Sequence, residues 1–130
     1  ILNGETIDVF NNGEMQRDFT YIDDIVEGIT RVMDKIPESQ SSDTSNAKAP
    51  YKVYNIGNNQ PVTLRRFITA IESACGQKAK ENLLPMQAGD VPITYADVDE
   101  LIADIGFKPS SSIEEGIERF VEWYREYYAK

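Results

Sequence analysis

Apolar residues along this chain change period several times, and each change predicts an element. Glu5 to Phe10 alternate as in a short strand, and Asn11-Asn12-Gly13 is a turn sequence that suits a hairpin or tight loop. Arg17 to Tyr21 reads as extended. Ile22, Ile25, Val26, Ile29, Val32, Met33 and Ile36 then fall at steps of three and four, predicting a helix over about 22–36 that Pro37 ends. Residues 37–50 hold five Ser or Thr and no large apolar side chain, so a flexible surface insertion is expected there. Tyr51 to Gly57 is rich in β-formers and reads as a buried or half-buried strand closed by the turn Gly57-Asn58-Asn59. Thr63 suits the N-cap of a helix with Leu64, Phe67, Ile68, Ile71, Ala74 and Cys75 on its apolar face and Gly76 at its end. Asn82 to Met86 offers a further strand, residues 85–92 a loop stiffened by Pro85 and Pro92, and residues 98–104 a short helix stopping at Gly106. Ser111 and Glu114 have capping-box spacing, and Ile113, Ile117, Phe120, Val121, Tyr124 and Tyr128 form the expected core face of a last helix. Trp123 and Tyr127 lie off that stripe. The sum is a mixed α/β unit over residues 1–130, a small sheet plus helices, without strict βαβ alternation.

Composition narrows the chemistry. At 41% hydrophobic and 27% charged, the chain has the make-up of a globular domain, and no run approaches the ~20 apolar residues of a membrane-spanning helix. No membrane association is expected. A net charge of -9 repels polyphosphate backbones and argues against nucleic-acid binding. There is no histidine, which removes Ser-His-Asp triads and the usual zinc sites, and the lone Cys75 lies on an apolar helix stripe where packing is its expected role. The chain opens on Ile1-Leu2-Asn3-Gly4 without an initiating Met or a signal-peptide pattern, so it reads as a piece of something longer. Such a piece would leave strand edges and helix faces open, with homo-oligomerisation or marginal stability as the expected result.

Two segments hold candidate ligand-binding residues: Gln16 to Asp24, and Leu84 to Pro92. Arg17 is a guanidinium fork just before a helix, where it could pair bidentately with a phosphate. Alternatively it pairs with Asp18, Asp23 or Asp24, or those acids cap the helix whose N-terminus they occupy. Asp90, after a Gly in a proline-bounded loop, could accept hydrogen bonds from a ribose, or could be ordinary turn chemistry.

These two segments, with Val53-Tyr54-Asn55-Ile56-Gly57-Asn58 and Thr94-Tyr95-Ala96-Asp97, resemble the extended short-chain dehydrogenase/reductase superfamily over nearly the whole chain. Ile7 to Asn11, Arg17 to Asp24, Pro85 to Asp97 and the closing Ile113 to Tyr124 are most similar to bacterial UDP-glucuronate 4-epimerases. The resemblance implies a C-terminal, substrate-binding portion with the N-terminal Rossmann part missing, from a cytoplasmic NAD-dependent enzyme that oxidises the sugar transiently at C4 and serves polysaccharide biosynthesis. It also implies that Arg17 contacts the diphosphate of a UDP-sugar, that Asp90 contacts the ribose, and that backbone groups of Asp8 and Phe10 hold the uracil edge. Gln87 stands where relatives acting on neutral hexoses have a second phosphate-binding Arg, and is expected to hydrogen-bond the substrate.

Catalytic and NAD-binding residues are not expected among these 130. No two glycines are spaced as Gly-x-Gly or Gly-x-x-Gly, and no Tyr has a Lys four residues on. The alternatives are part of a UDP-hexose epimerase or nucleotide-sugar dehydratase, or a non-catalytic fragment that self-associates.

Overall fold

The computed structural model describes residues 1–38 and 50–128. Most of the insertion expected at 37–50 therefore lies outside the described residues. Five-residue strands β1 (Thr6–Phe10) and β4 (Lys80–Leu84) pair in parallel, from Thr6 opposite Lys80 to Phe10 opposite Leu84. Two-residue strands β2 (Gln16–Arg17) and β3 (Val62–Thr63) pair antiparallel, Gln16 opposite Thr63 and Arg17 opposite Val62. The helices are α1 (Ile22–Met33), α2 (Leu64–Cys75), α3 (Asp99–Ile105) and α4 (Ile113–Tyr128). No helix among the described residues is long and apolar enough to cross a membrane.

Local sequence explains the ends of α2. The Thr63 hydroxyl accepts from the Arg66 N–H at 3.2 Å, and Gly76 takes the left-handed conformation (φ 69°) that closes the helix. The inner face of α2 meets α4 around buried Ala70, Ile117 and Val121, flanked by Phe67, Ile71, Ala74, Cys75 and Ile113. A fully buried aliphatic side chain contributes about 1.5–3 kcal/mol. A two-pronged contact from Arg66 to Glu114, at 2.8 and 2.9 Å, spans the same helix pair.

The turn at 11–13 is the tight loop of the two forms expected, a short 3-10 segment that closes no hairpin because β1 takes β4 as its neighbour. Several other expectations are corrected. Residues 51–57 form no strand and join no ladder with the described backbone, and Tyr51 and Val53 are 74% and 75% exposed. Side chains fasten that segment instead, with Lys52 Nζ and the Tyr54 hydroxyl both donating to Asp104 of α3 at 2.6 Å. The fourth strand lies at 80–84, two residues earlier than the sequence suggests. α1 ends at Met33, where Asp34 caps it and the Lys35 N–H turns back to Val32; Ile36 is exposed and gains nothing from another turn.

The helix faces differ too. On α1 the buried residues are Asp24 and Gly28, while Ile22, Val26, Ile29 and Met33 face outward. On α4 Phe120, Tyr124 and Tyr128 are exposed and join Trp123 and Tyr127 in a chain of ring contacts along the outside. The capping box belongs to Ser112 and Glu115, one residue later than expected: the Ser112 hydroxyl accepts from the Glu115 N–H at 3.2 Å, and the Ser112 N–H donates to the Glu115 carboxylate at 3.1 Å. Glu114 is occupied by Arg66.

Two outcomes follow for stability. Ser112→Ala should cost about 1 kcal/mol in urea denaturation, as loss of an N-cap does, with Ser111→Ala near neutral; the reverse ranking would refute this assignment. Hydrogen bonds from Lys52, then Tyr54, hold the Asp104 carboxyl below its ordinary value of 3.8. Its contribution is therefore present above that value and is lost as pH falls through the lowered one. The stability advantage of the native chain over Asp104→Asn should shrink on acidification below about pH 4. An advantage that stays constant with pH would exclude this linkage.

Candidate functional site

Parallel pairing sends both partners out of the ladder at the same end. β1 runs through the 11–13 turn to β2, which bears Arg17, and β4 runs into residues 85–97, which bear Gln87 and Asp90. The outer carboxyl ends of parallel strands are where ligands bind in open α/β sheets. Main-chain bonds then join the two arms: Gln16 N–H donates to Pro92 O at 2.8 Å, and Thr94 N–H donates to Gln16 O at 3.3 Å. Gln16 and Ile93 thereby form a parallel bridge.

The junction brings Arg17 and Asp90 into contact. Arg17 Nη2 donates to Asp90 Oδ1 at 2.5 Å, and Arg17 Nη1 donates to the Gln16 carbonyl at 2.8 Å. Both side chains stay about a quarter exposed, at 25% and 28%, so the pair remains open to a ligand. Gln87 belongs to the same turn, its carbonyl accepting from the Asp90 N–H at 3.2 Å while its side chain is exposed. Asp8 and Phe10 lie on β1 opposite Asn82 and Leu84, and the Asp8 carboxylate accepts from Asn82 Nδ2 at 2.9 Å. Among the described residues no hydrogen bond links Asp8 or Phe10 to the Arg17–Asp90 pair. Nor are three His, Cys, Asp or Glu side chains placed together to hold a metal ion.

The acidic neighbours of Arg17 in sequence are engaged elsewhere. Asp24 is buried and accepts from the Ser111 N–H at 3.0 Å, tying α1 to the start of α4. Asp23 lies 3.6 Å from Arg119. Neither caps α1, which begins after Tyr21 without a side-chain cap.

Asp18 has a role that the sequence does not disclose, being neither a partner for Arg17 nor a helix cap. Its Oδ2 accepts from the N–H groups of Asn59 at 3.0 Å and Ala96 at 3.1 Å, and its Oδ1 from that of Gln60 at 3.4 Å. Asn59 has a left-handed backbone (φ 53°), within the turn that supplies two of these donors. Gly57 permits the arrangement, because a Cβ there would come within 2.5 Å of the Ala96 Cβ and 3.0 Å of Asp18 Oδ2. The only local trace of this hub is the Gly57-Asn58-Asn59 turn signal, which does not say what it faces.

Residues 1–57 match the profile of the NAD dependent epimerase/dehydratase family. Over its whole length the chain is 53% identical to Protein CapI of Staphylococcus aureus, covering 41% of that protein. It is 47% identical to a probable UDP-glucuronate 4-epimerase of Rhizobium meliloti (strain 1021), again over its whole length and covering 40% of the relative. The chain thus spans about two fifths of the length of these curated relatives. Among solved structures it resembles the UDP-glucose 4-epimerase of Thermotoga maritima with UDP-glucose, at TM-score 0.77 and 27% identity, over 97% of this chain and 37% of that one. The UDP-glucuronic acid 4-epimerase of Bacillus cereus, in complex with UDP-glucuronic acid and NAD, shares the fold at TM-score 0.77 and 24% identity, over 98% of this chain and 37% of that one.

A part-exposed ion pair adds little to stability. Arg17→Ala should lower the unfolding free energy by no more than about 1 kcal/mol in urea titration. A loss of about 3 kcal/mol or more, the size of a broken buried pair, would make Arg17 a structural residue.

Proposed function

We propose that this chain, which belongs to the nucleotide-sugar epimerases of the extended short-chain dehydrogenase/reductase superfamily, is the sugar-nucleotide-binding portion of a UDP-glucuronate 4-epimerase. The observation that carries this reading is the meeting of Arg17 and Asp90 where the two arms leave the parallel strands. A guanidinium fork suits a diphosphate and a carboxylate suits a ribose diol, so the pair presents complementary groups to adjacent parts of one ligand. When ligand is absent they satisfy each other, and binding exchanges that contact for two with the nucleotide. Gln87, exposed on the same turn, is assigned a hydrogen bond to the substrate. The Asp8 to Phe10 backbone is assigned the uracil edge, which N–H and C=O groups can read without any particular side chain.

NAD belongs to this reading as the cofactor of the full-length enzyme, to which it would supply hydride-transfer chemistry at the sugar C4. The residues of this chain do not fit its pyrophosphate: a dinucleotide turn needs glycines two and three residues apart, and none are so spaced. No hydride or proton-transfer step is assigned to them. A cytoplasmic enzyme supplying a galacturonate nucleotide for polysaccharide synthesis is the setting that the family resemblance implies. The likeness to a UDP-glucose 4-epimerase at 27% identity supports a neutral-hexose enzyme as the second reading; Gln87 weighs against it, because the family resemblance implies a second phosphate-binding Arg there in enzymes acting on neutral hexoses.

Calorimetric titration with UDP tests the assignment. The native chain should bind UDP, and Arg17→Ala should weaken binding at least about tenfold, the worth of a hydrogen bond to a charged group. No heat at millimolar UDP, or equal affinity in the variant, would overturn it. UDP-glucuronate binding more tightly than UDP-glucose separates the first reading from the second.

A further inference from the structure

We propose that Asp18 is the positioning residue for the Arg17–Asp90 pair, acting as a carboxylate clamp on the backbone rather than as a contact to ligand; this rests on the substrate-binding role assigned to that pair. Two segments distant in sequence converge on its two oxygens, Asn59 and Gln60 before β3 and Ala96 at the end of the loop that carries Asp90, and both are thereby tied to the residue that follows β2. Arg17 is therefore held from both sides. Gln16 is bonded to Pro92 and Thr94, and Asp18 to Ala96, so the loop containing Asp90 is fastened to the two residues flanking the guanidinium's own backbone. Charge-assisted bonds to N–H groups are the stronger kind, and a neutral amide at this position offers one acceptor oxygen in place of two. Loosening the clamp lets the loop drift, and a displacement of about 1 Å is enough to spoil a preorganised site.

A purely structural role predicts something different, and Asp24 provides the control. It is also an aspartate accepting a backbone N–H, but it fastens α1 to Ser111, away from the Asp90 loop. Asp18→Asn, Asp24→Asn and Gly57→Ala would be compared with the native chain at a temperature where circular dichroism shows each folded. Gly57→Ala disturbs the clamp without altering Asp18, since its new methyl meets both Ala96 and the carboxylate. It keeps the test open should Asp18→Asn not fold.

UDP affinity should fall at least about tenfold in Asp18→Asn and Gly57→Ala and stay near native in Asp24→Asn. Native affinity in both clamp variants, or an equal loss in Asp24→Asn, overturns the proposal. A second readout needs no nucleotide: the guanidinium 15N resonances of Arg17, restricted while it is held against Asp90, should lose that restriction in the clamp variants alone. If the native chain binds no UDP, the substrate-binding reading falls, and the Arg17 resonances still decide the clamp: unchanged restriction in Asp18→Asn and Gly57→Ala sinks it.

Discussion

One carboxylate joins what the chain order keeps apart. Asp18 collects N–H groups from two segments that follow it at long range, and so supplies acceptors to backbone donors that no ladder pairs. The short β2–β3 ladder, the Asn58–Gln60 turn and the Asp90 loop all meet there. A two-residue ladder is too short to set such a geometry alone, and side-chain acceptors for backbone donors take over the task. Thr20 repeats the device, its hydroxyl accepting from the Asn58 N–H at 3.2 Å, and Asp24 repeats it again at Ser111. Between β2 and the start of α1, polar side chains act as mortar for loops.

How much of this was legible in the sequence depended on range. The ends of α2 could be read because their causes are local: Thr63 caps the first turn, and Gly76 supplies a left-handed residue. The capping box was misplaced by one residue because Ser111, Ser112, Glu114 and Glu115 offer two registers, and the choice is made by Arg66 reaching across from α2 to take Glu114. Residues 51–57 have strand-forming side chains, yet a strand exists only where another backbone lies beside it. Periodicity identified α1 and α4 as helices without saying which stripe packs. On α1 the inward face is made by Asp24 and Gly28, a carboxylate with a distant partner and a residue with no side chain, neither of which an apolar pattern marks.

The candidate site divides in the same way. Arg17 and Asp90 were visible as residue types suited to a nucleotide, and the family resemblance gave them roles. Their contact was not visible, since it is produced by the parallel ladder and the Gln16–Ile93 bridge. Asp18 is visible in the sequence as a charge suited to pairing with Arg17 or to capping the helix. In the structure it faces backbone, which leaves Arg17 free to face Asp90.

The β1–β4 ladder has a consequence for time as well as for place. Its two strands are separated by everything from residue 11 to residue 79, so it closes only after a long excursion of chain has been brought home, at an entropic cost that no local contact offsets. Helices α2 and α4 can form and dock while β1 is still unpaired. Non-local, parallel pairing is the slow class of folding event. The two halves of the candidate site come together only when the ladder that aims both arms at one another closes.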